Sequence, residues 1–115
     1  MRRGEIHAID LDPVRGSEAD KRRPAVIVSN DAANATAMRL GRGVITVVPV
    51  TSNVERVYPF QVLLPALVTG LDRDSKAQAE QVRSVAVERV GARLGVVPAA
   101  LMADLEEALR LHLGL

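Results

Sequence analysis

The run Glu5 to Leu11, E-I-H-A-I-D-L, is short and carries β-branched residues ahead of Asp12-Pro13, which predicts a first strand. From Asp12 to Arg22, D-P-V-R-G-S-E-A-D-K-R, turn formers and charges take over for longer than an ordinary hairpin loop needs, and such loops are usually functional. Pro24 to Ser29 predicts a second strand, with Pro at the first residue, where its missing N–H matters least. Asn30-Asp31 can cap a helical turn over Ala32 to Met38, and Gly41 and Gly43 end it. Gly43 to Val50 is almost wholly β-branched and reads as a strand buried on both faces, with Pro49 marking a bulge or edge. Tyr58 to Leu64 predicts a further strand, and Asp74 to Val85 holds two short ones joined near Gln78 to Glu80. A single turn over Glu88 to Arg93 precedes a short strand, Leu94 to Val97.

Pro98 then opens the one strong helical pattern. Leu101, Leu105, Leu109 and Leu113 recur every four residues, Met102 and Ala108 widen the stripe, and Asp104, Glu106 and Glu107 lie opposite. About six short strands followed by a terminal helix fit a small, partly open β-barrel better than a sandwich. No repeat or linker divides the chain, so residues 1–115 are expected to form a single domain.

Composition narrows the class. In 115 residues, 48% are hydrophobic, enough for one core, and the absence of Cys excludes a disulfide framework and a thiolate zinc site. Two His make a poor metal site. The N-terminal Arg2-Arg3 precedes no apolar signal segment and no stretch is long enough to span a membrane, so a cytoplasmic protein is expected. A net charge of +1, one Tyr and one Phe supply neither a global field for polyanions nor a base-stacking sheet. Nucleic acid would need a local basic patch. Lys21, Arg22 and Arg23 are the densest positive charge, with Arg15 in the same loop, although by charge alone the segment reads as a solvated loop. The strand end Pro49-Val50-Thr51-Ser52 and the segment Glu80 to Ser84 also stand out, and none of these three features is a metal, phosphate-loop or nucleophile-elbow pattern.

Six blocks in order carry a resemblance: R-G-E-I from Arg3, D-L-D-P-V-R-G-S-E from Asp10, R-R-P-A-V-I-V-S-N from Arg22, V-I-T-V-V-P-V-T-S-N from Val44, Y-P-F-Q-V-L-L from Tyr58 and A-E-Q-V-R-S-V from Ala79. Together they resemble the MazF/PemK/Kid family of toxin endoribonucleases over essentially the whole chain. The resemblance implies an SH3-like, partly open β-barrel with short helices and a C-terminal α-helix, assembled as a homodimer. It further implies metal-independent, sequence-specific cleavage of single-stranded RNA, chiefly messenger RNA, without cofactor, leaving a 2′,3′-cyclic phosphate and a 5′-hydroxyl. A MazE-like antitoxin would neutralise it by laying an acidic segment over the RNA groove, in a heterohexamer.

Position by position, the resemblance assigns the catalytic pair to Arg23 and Thr51, ties Ser17 and Glu18 to RNA handling or activity, and sets Gln81 at the groove. Arg15, Lys21, Arg22 and Ser52 are the expected substrate contacts around them. The chemistry of the reaction supports Arg23: its guanidinium stays charged and can grip two oxygens of the phosphorane in a fork. Thr51 can donate one hydroxyl hydrogen bond to the same phosphate but cannot act as a base by itself. Glu18 is the first candidate for the general base, and a surface salt bridge with Lys21 is its plain alternative. His7 stands where the family commonly has an aromatic residue, which favours a structural or base-contacting role. The competing function is a non-enzymatic toxin of the CcdB type that binds a protein such as gyrase, since fold alone does not fix function.

Overall fold

The computed structural model of the chain describes residues 1–11, 16–17 and 22–115. Its strands are β1 (Glu5–Asp10), β2 (Arg22–Ile27), β3 (Val44–Thr51), β4 (Gln61–Leu64), β5 (Ser75–Gln78), β6 (Arg83–Ala86) and β7 (Val90–Val96). The helices are α1 (Asp31–Leu40), α2 (Ala66–Thr69) and α3 (Ala99–Leu113). Single 3₁₀ turns lie at Ala79–Gln81 and Val87–Arg89.

The β-branched run of β3 sits at the centre. One side of it pairs with β2, Ala25 opposite Pro49 and Ile27 opposite Val47. The other side pairs first with β6, from Val44 to Val47, and then with β5 at Val50 and Thr51. Pro49 falls where the second side changes partner, so its missing N–H coincides with a break in the ladder inside the sheet and not with a sheet edge. The strand order is β4-β5-β3-β2-β1-β7 with β6 also on β3, every pairing is antiparallel, and the sheet is not closed.

Hydrophobic clusters cover both faces of this sheet, which is why β3 lacks a polar side. Val48 and Val50 join Ile6, Val26 and Leu64 against α3, while Ile45 and Val47 join Ile9, Leu11 and Ile27 near Ala37 of α1. Asn30 caps α1 as expected, its side chain accepting from the Ala33 N–H at 2.8 Å. Arg3 locks the ends together: its backbone N–H donates to Asp31 at 2.7 Å and its guanidinium pairs with Glu106 of α3 at 2.8 Å.

Three differences have local causes. The short helix α2 had no sequence signal, because its four residues cannot display a helical period. The strand expected over Tyr58 to Leu64 begins only at Gln61, since the Gln61 N–H donates to the Tyr58 carbonyl at 2.8 Å and closes a turn there. In α3 the buried residues are Met102, Leu105 and Ala108, whereas Leu113 is exposed. A four-residue repeat drifts by about 40° per step on a 3.6-residue helix, so by Leu113 the stripe has turned roughly 120° from Leu101.

Candidate active site

Continuing the β2–β3 register two residues past the Ala25–Pro49 pair sets Arg23 opposite Thr51, on the same face of the sheet. Both line one cleft of about 340 Å³, together with Ser52, Asp72, Arg73 and Leu94. Thr51 is the last residue of β3 and pairs with Lys76 of β5, and its Oγ1 accepts from the Asn53 N–H at 3.3 Å. The hydroxyl is thereby held at the point where the strand becomes a loop. Arg23 and Thr51 are half-buried and Ser52 is exposed.

The remaining expected contacts separate. Arg22 is one residue from Arg23 and points to the other face, where its guanidinium fills the space that a Cβ on Gly91 would occupy. It does not line the cleft. Gln81 donates from Nε2 to the Ser17 carbonyl at 3.0 Å, and Arg83 donates to the Leu11 carbonyl at 3.2 Å. These side chains hold described ends of the β1–β2 connection, so Ser17 and Gln81 meet each other outside the cleft lining. Arg15, Glu18 and Lys21 lie outside the described residues.

His7 is buried and its ring is spoken for on both sides: Nδ1 donates to the Gly91 carbonyl at 3.0 Å, and Nε2 meets the Glu5 carboxylate at 2.8 Å. The His7 hydrogen bond holds the Glu5 carboxyl below its ordinary range, against the opposing effect of burial. Tyr58 is exposed and stacks on Phe60, ring centroids 5.3 Å apart, with Arg56 and Lys76 near its ring. Beneath it, buried Lys76 donates to the Arg56 carbonyl at 2.6 Å and ties down the loop that follows Thr51.

The sequence pattern did not point to Asp72 and Arg73. They arrive from the segment between α2 and β5, remote from Arg23 in the chain, and only the packing of that segment against β7 brings them to the cleft. Their charge density looks in sequence like an ordinary turn.

The chain matches the family model of the PemK-like, MazF-like toxin of type II toxin–antitoxin systems over residues 2–113. It is 70% identical over 115 residues to the endoribonuclease MazF9 of Mycobacterium tuberculosis, covering 100% of this chain and 98% of that protein. The crystal structure of MazF (Form-I) from Deinococcus radiodurans is similar with a TM-score of 0.80 at 29% identity, over 100% of this chain and 97% of that one. The MazE–MazF crystal structure (Form-I) from the same organism is similar with a TM-score of 0.74 at 27% identity, again over 100% and 97% of the two chains. The cleft that unites Arg23 with Thr51 therefore stands in a chain that belongs to the PemK-like, MazF-like family of type II toxins.

Proposed function

We propose that the protein is a sequence-specific endoribonuclease toxin that cuts single-stranded RNA without a metal and leaves 2′,3′-cyclic phosphate and 5′-hydroxyl ends. The observation that carries this reading is the convergence of Arg23 and Thr51 in one cleft. In the reaction the substrate's 2′-oxygen attacks the adjacent phosphorus, the bond from phosphorus to the 5′-oxygen breaks, and a proton moves from the 2′-hydroxyl to a base while another reaches the leaving oxygen. Arg23 neutralises the charge that builds on the non-bridging oxygens, and Thr51 donates to the same phosphate. Both groups are carried by strand backbone, which limits the freedom they would lose on binding. Glu18, which lies outside the described residues, is the first candidate for the general base because a carboxylate near the basic loop can accept the proton.

By the same reading the toxin works as a cytoplasmic homodimer and is neutralised by a MazE-like antitoxin in a heterohexamer, a partnership supported by the MazE–MazF structure of the Deinococcus relative. The test is incubation of a long RNA with the protein in EDTA and mapping of the new 5′ ends. Wild type should cut at a short recurrent sequence, and Arg23→Ala should lower kcat by at least about 10²-fold with its thermal midpoint retained. Cutting that survives Arg23→Ala would remove the assigned site. RNA left intact by a folded wild-type protein that inhibits gyrase would favour the protein-binding alternative.

A further inference from the structure

We propose that Arg73 is a second RNA-phosphate ligand of the cleft, and that Gly95 is the positioning residue that lets its loop sit there; this rests on the endoribonuclease reading above. Arg73 is exposed and lines the same cleft as Arg23 and Thr51. Among the described residues it forms no ion pair.

An exposed arginine usually belongs to solvent, but the backbone beneath this one is fixed on both sides. After it, the Asp74 carboxylate accepts from the Ala66 N–H at 2.9 Å, and the Ser75 hydroxyl donates to the carbonyl of Arg73 itself at 3.0 Å. Before it, Gly70 takes a left-handed conformation with φ of 83° and donates to the Ala66 carbonyl at 3.0 Å, ending α2 sharply. The Leu71 N–H donates to the Thr69 hydroxyl at 3.3 Å, and the Leu71 side chain packs against the core. Such a loop presents its guanidinium with little of the backbone entropy that a loose one would lose on binding.

The seat of the loop is Gly95 on β7. A Cβ there would lie close against the Thr69 carbonyl oxygen and 3.6 Å from the Leu71 side chain. Any larger residue drives the α2 terminus, and with it Asp72 and Arg73, away from β7. Arg73 thus adds a second arginine to the cleft that Arg23 and Thr51 line, beside Asp72. Beside a threonine hydroxyl already placed for phosphate, that charge suits a phosphodiester of the RNA backbone.

The test is steady-state cleavage, in EDTA and at several salt concentrations, of a short oligoribonucleotide that carries the mapped site. Arg73→Gln should raise KM by about tenfold with kcat within about threefold of wild type, and should flatten the dependence of log(kcat/KM) on log salt by about 0.7, the value for one phosphate contact on a single strand. Arg73→Lys should recover part of the loss, because a point charge replaces the fork. Arg39→Gln removes an equal charge from the remote helix α1 and should change neither quantity. Gly95→Ala, with folding verified by circular dichroism, should raise KM in the same way although Arg73 is intact. Wild-type KM and salt slope in Arg73→Gln would overturn the proposal. Failure of wild type to cut overturns the endoribonuclease reading separately. Affinity for an oligonucleotide with a 2′-deoxy sugar at the site still decides Arg73 in that case, since unchanged affinity and slope in Arg73→Gln exclude the contact.

Discussion

Arg22 and Arg23 are adjacent and chemically identical, yet strand alternation sends one across Gly91 and the other into the cleft. The same alternation makes Glu5 and His7, two residues apart on β1, a hydrogen-bonded pair of which His7 is buried and Glu5 half-buried. The Gly91 carbonyl can only accept, which fixes a hydrogen on Nδ1 of His7, and Nε2 lies 2.8 Å from the Glu5 carboxylate. The Glu5 carboxyl is held below its ordinary value of 4.5, mainly by this bond, and Asp31 is held below 3.8, mainly by the Arg3 backbone N–H. A depressed folded value means that the carboxylate favours the folded state above the ordinary range and that this contribution is lost as pH falls through the folded value. Glu5→Gln is therefore expected to lower stability by about 1 kcal/mol near pH 5.5, and the gap from wild type should shrink at pH 3, where the unfolded carboxyl is protonated. Urea midpoints at the two pH values measure this, and an equal gap at both would mean that packing, not charge, sets the role of Glu5.

At the level of elements, α3 closes one face of the sheet, and Leu105 is its most deeply placed contact, fully buried among Ile6, Val48, Val50 and Leu64. Leu105→Ala should cost about 2–5 kcal/mol, read as a lower urea midpoint, whereas Leu113→Ala at the exposed end of the same stripe should stay within about 0.5 kcal/mol. Equal losses at the two positions would show that the last turn is also packed. This helix, β1, β2 and β3 were legible in the sequence because each depends on a local period or a continuous β-branched run. The pair of short strands around Gln78 to Glu80 was legible too, since the 3₁₀ turn there interrupts a recognisable alternation. Arg23 and Thr51 were legible through family motifs, but their meeting is a matter of register between strands more than twenty residues apart, which periodicity does not encode. Asp72 and Arg73 escaped notice for the same reason: they reach the cleft through a carbonyl seated on Gly95, and a glycine within a short strand gives no hint of what lies above it.

On the scale of the whole molecule, 15 basic residues nearly cancel 14 acidic ones, so the net charge of +1 provides no long-range field for RNA. Short-range placement replaces it. Among the described residues, Arg23 and Arg73 share the cleft while several acidic groups are used elsewhere: Glu106 on Arg3, Glu5 on His7 and Asp74 on the α2 backbone. On the function proposed above, arginines placed locally in a nearly neutral protein would favour short anionic segments, and an acidic antitoxin strand would compete with RNA for them. Its inhibition of cleavage is then expected to weaken with added salt, with the concentration for half-inhibition rising about tenfold between 50 and 300 mM as screening shortens the reach of each pair. The antitoxin needs to be titrated at each salt against a fixed ratio of RNA to KM, because the substrate's own affinity falls over the same range. Half-inhibition that does not move would assign the antitoxin's affinity to apolar contacts, to which the exposed Leu94 of the cleft lining can contribute.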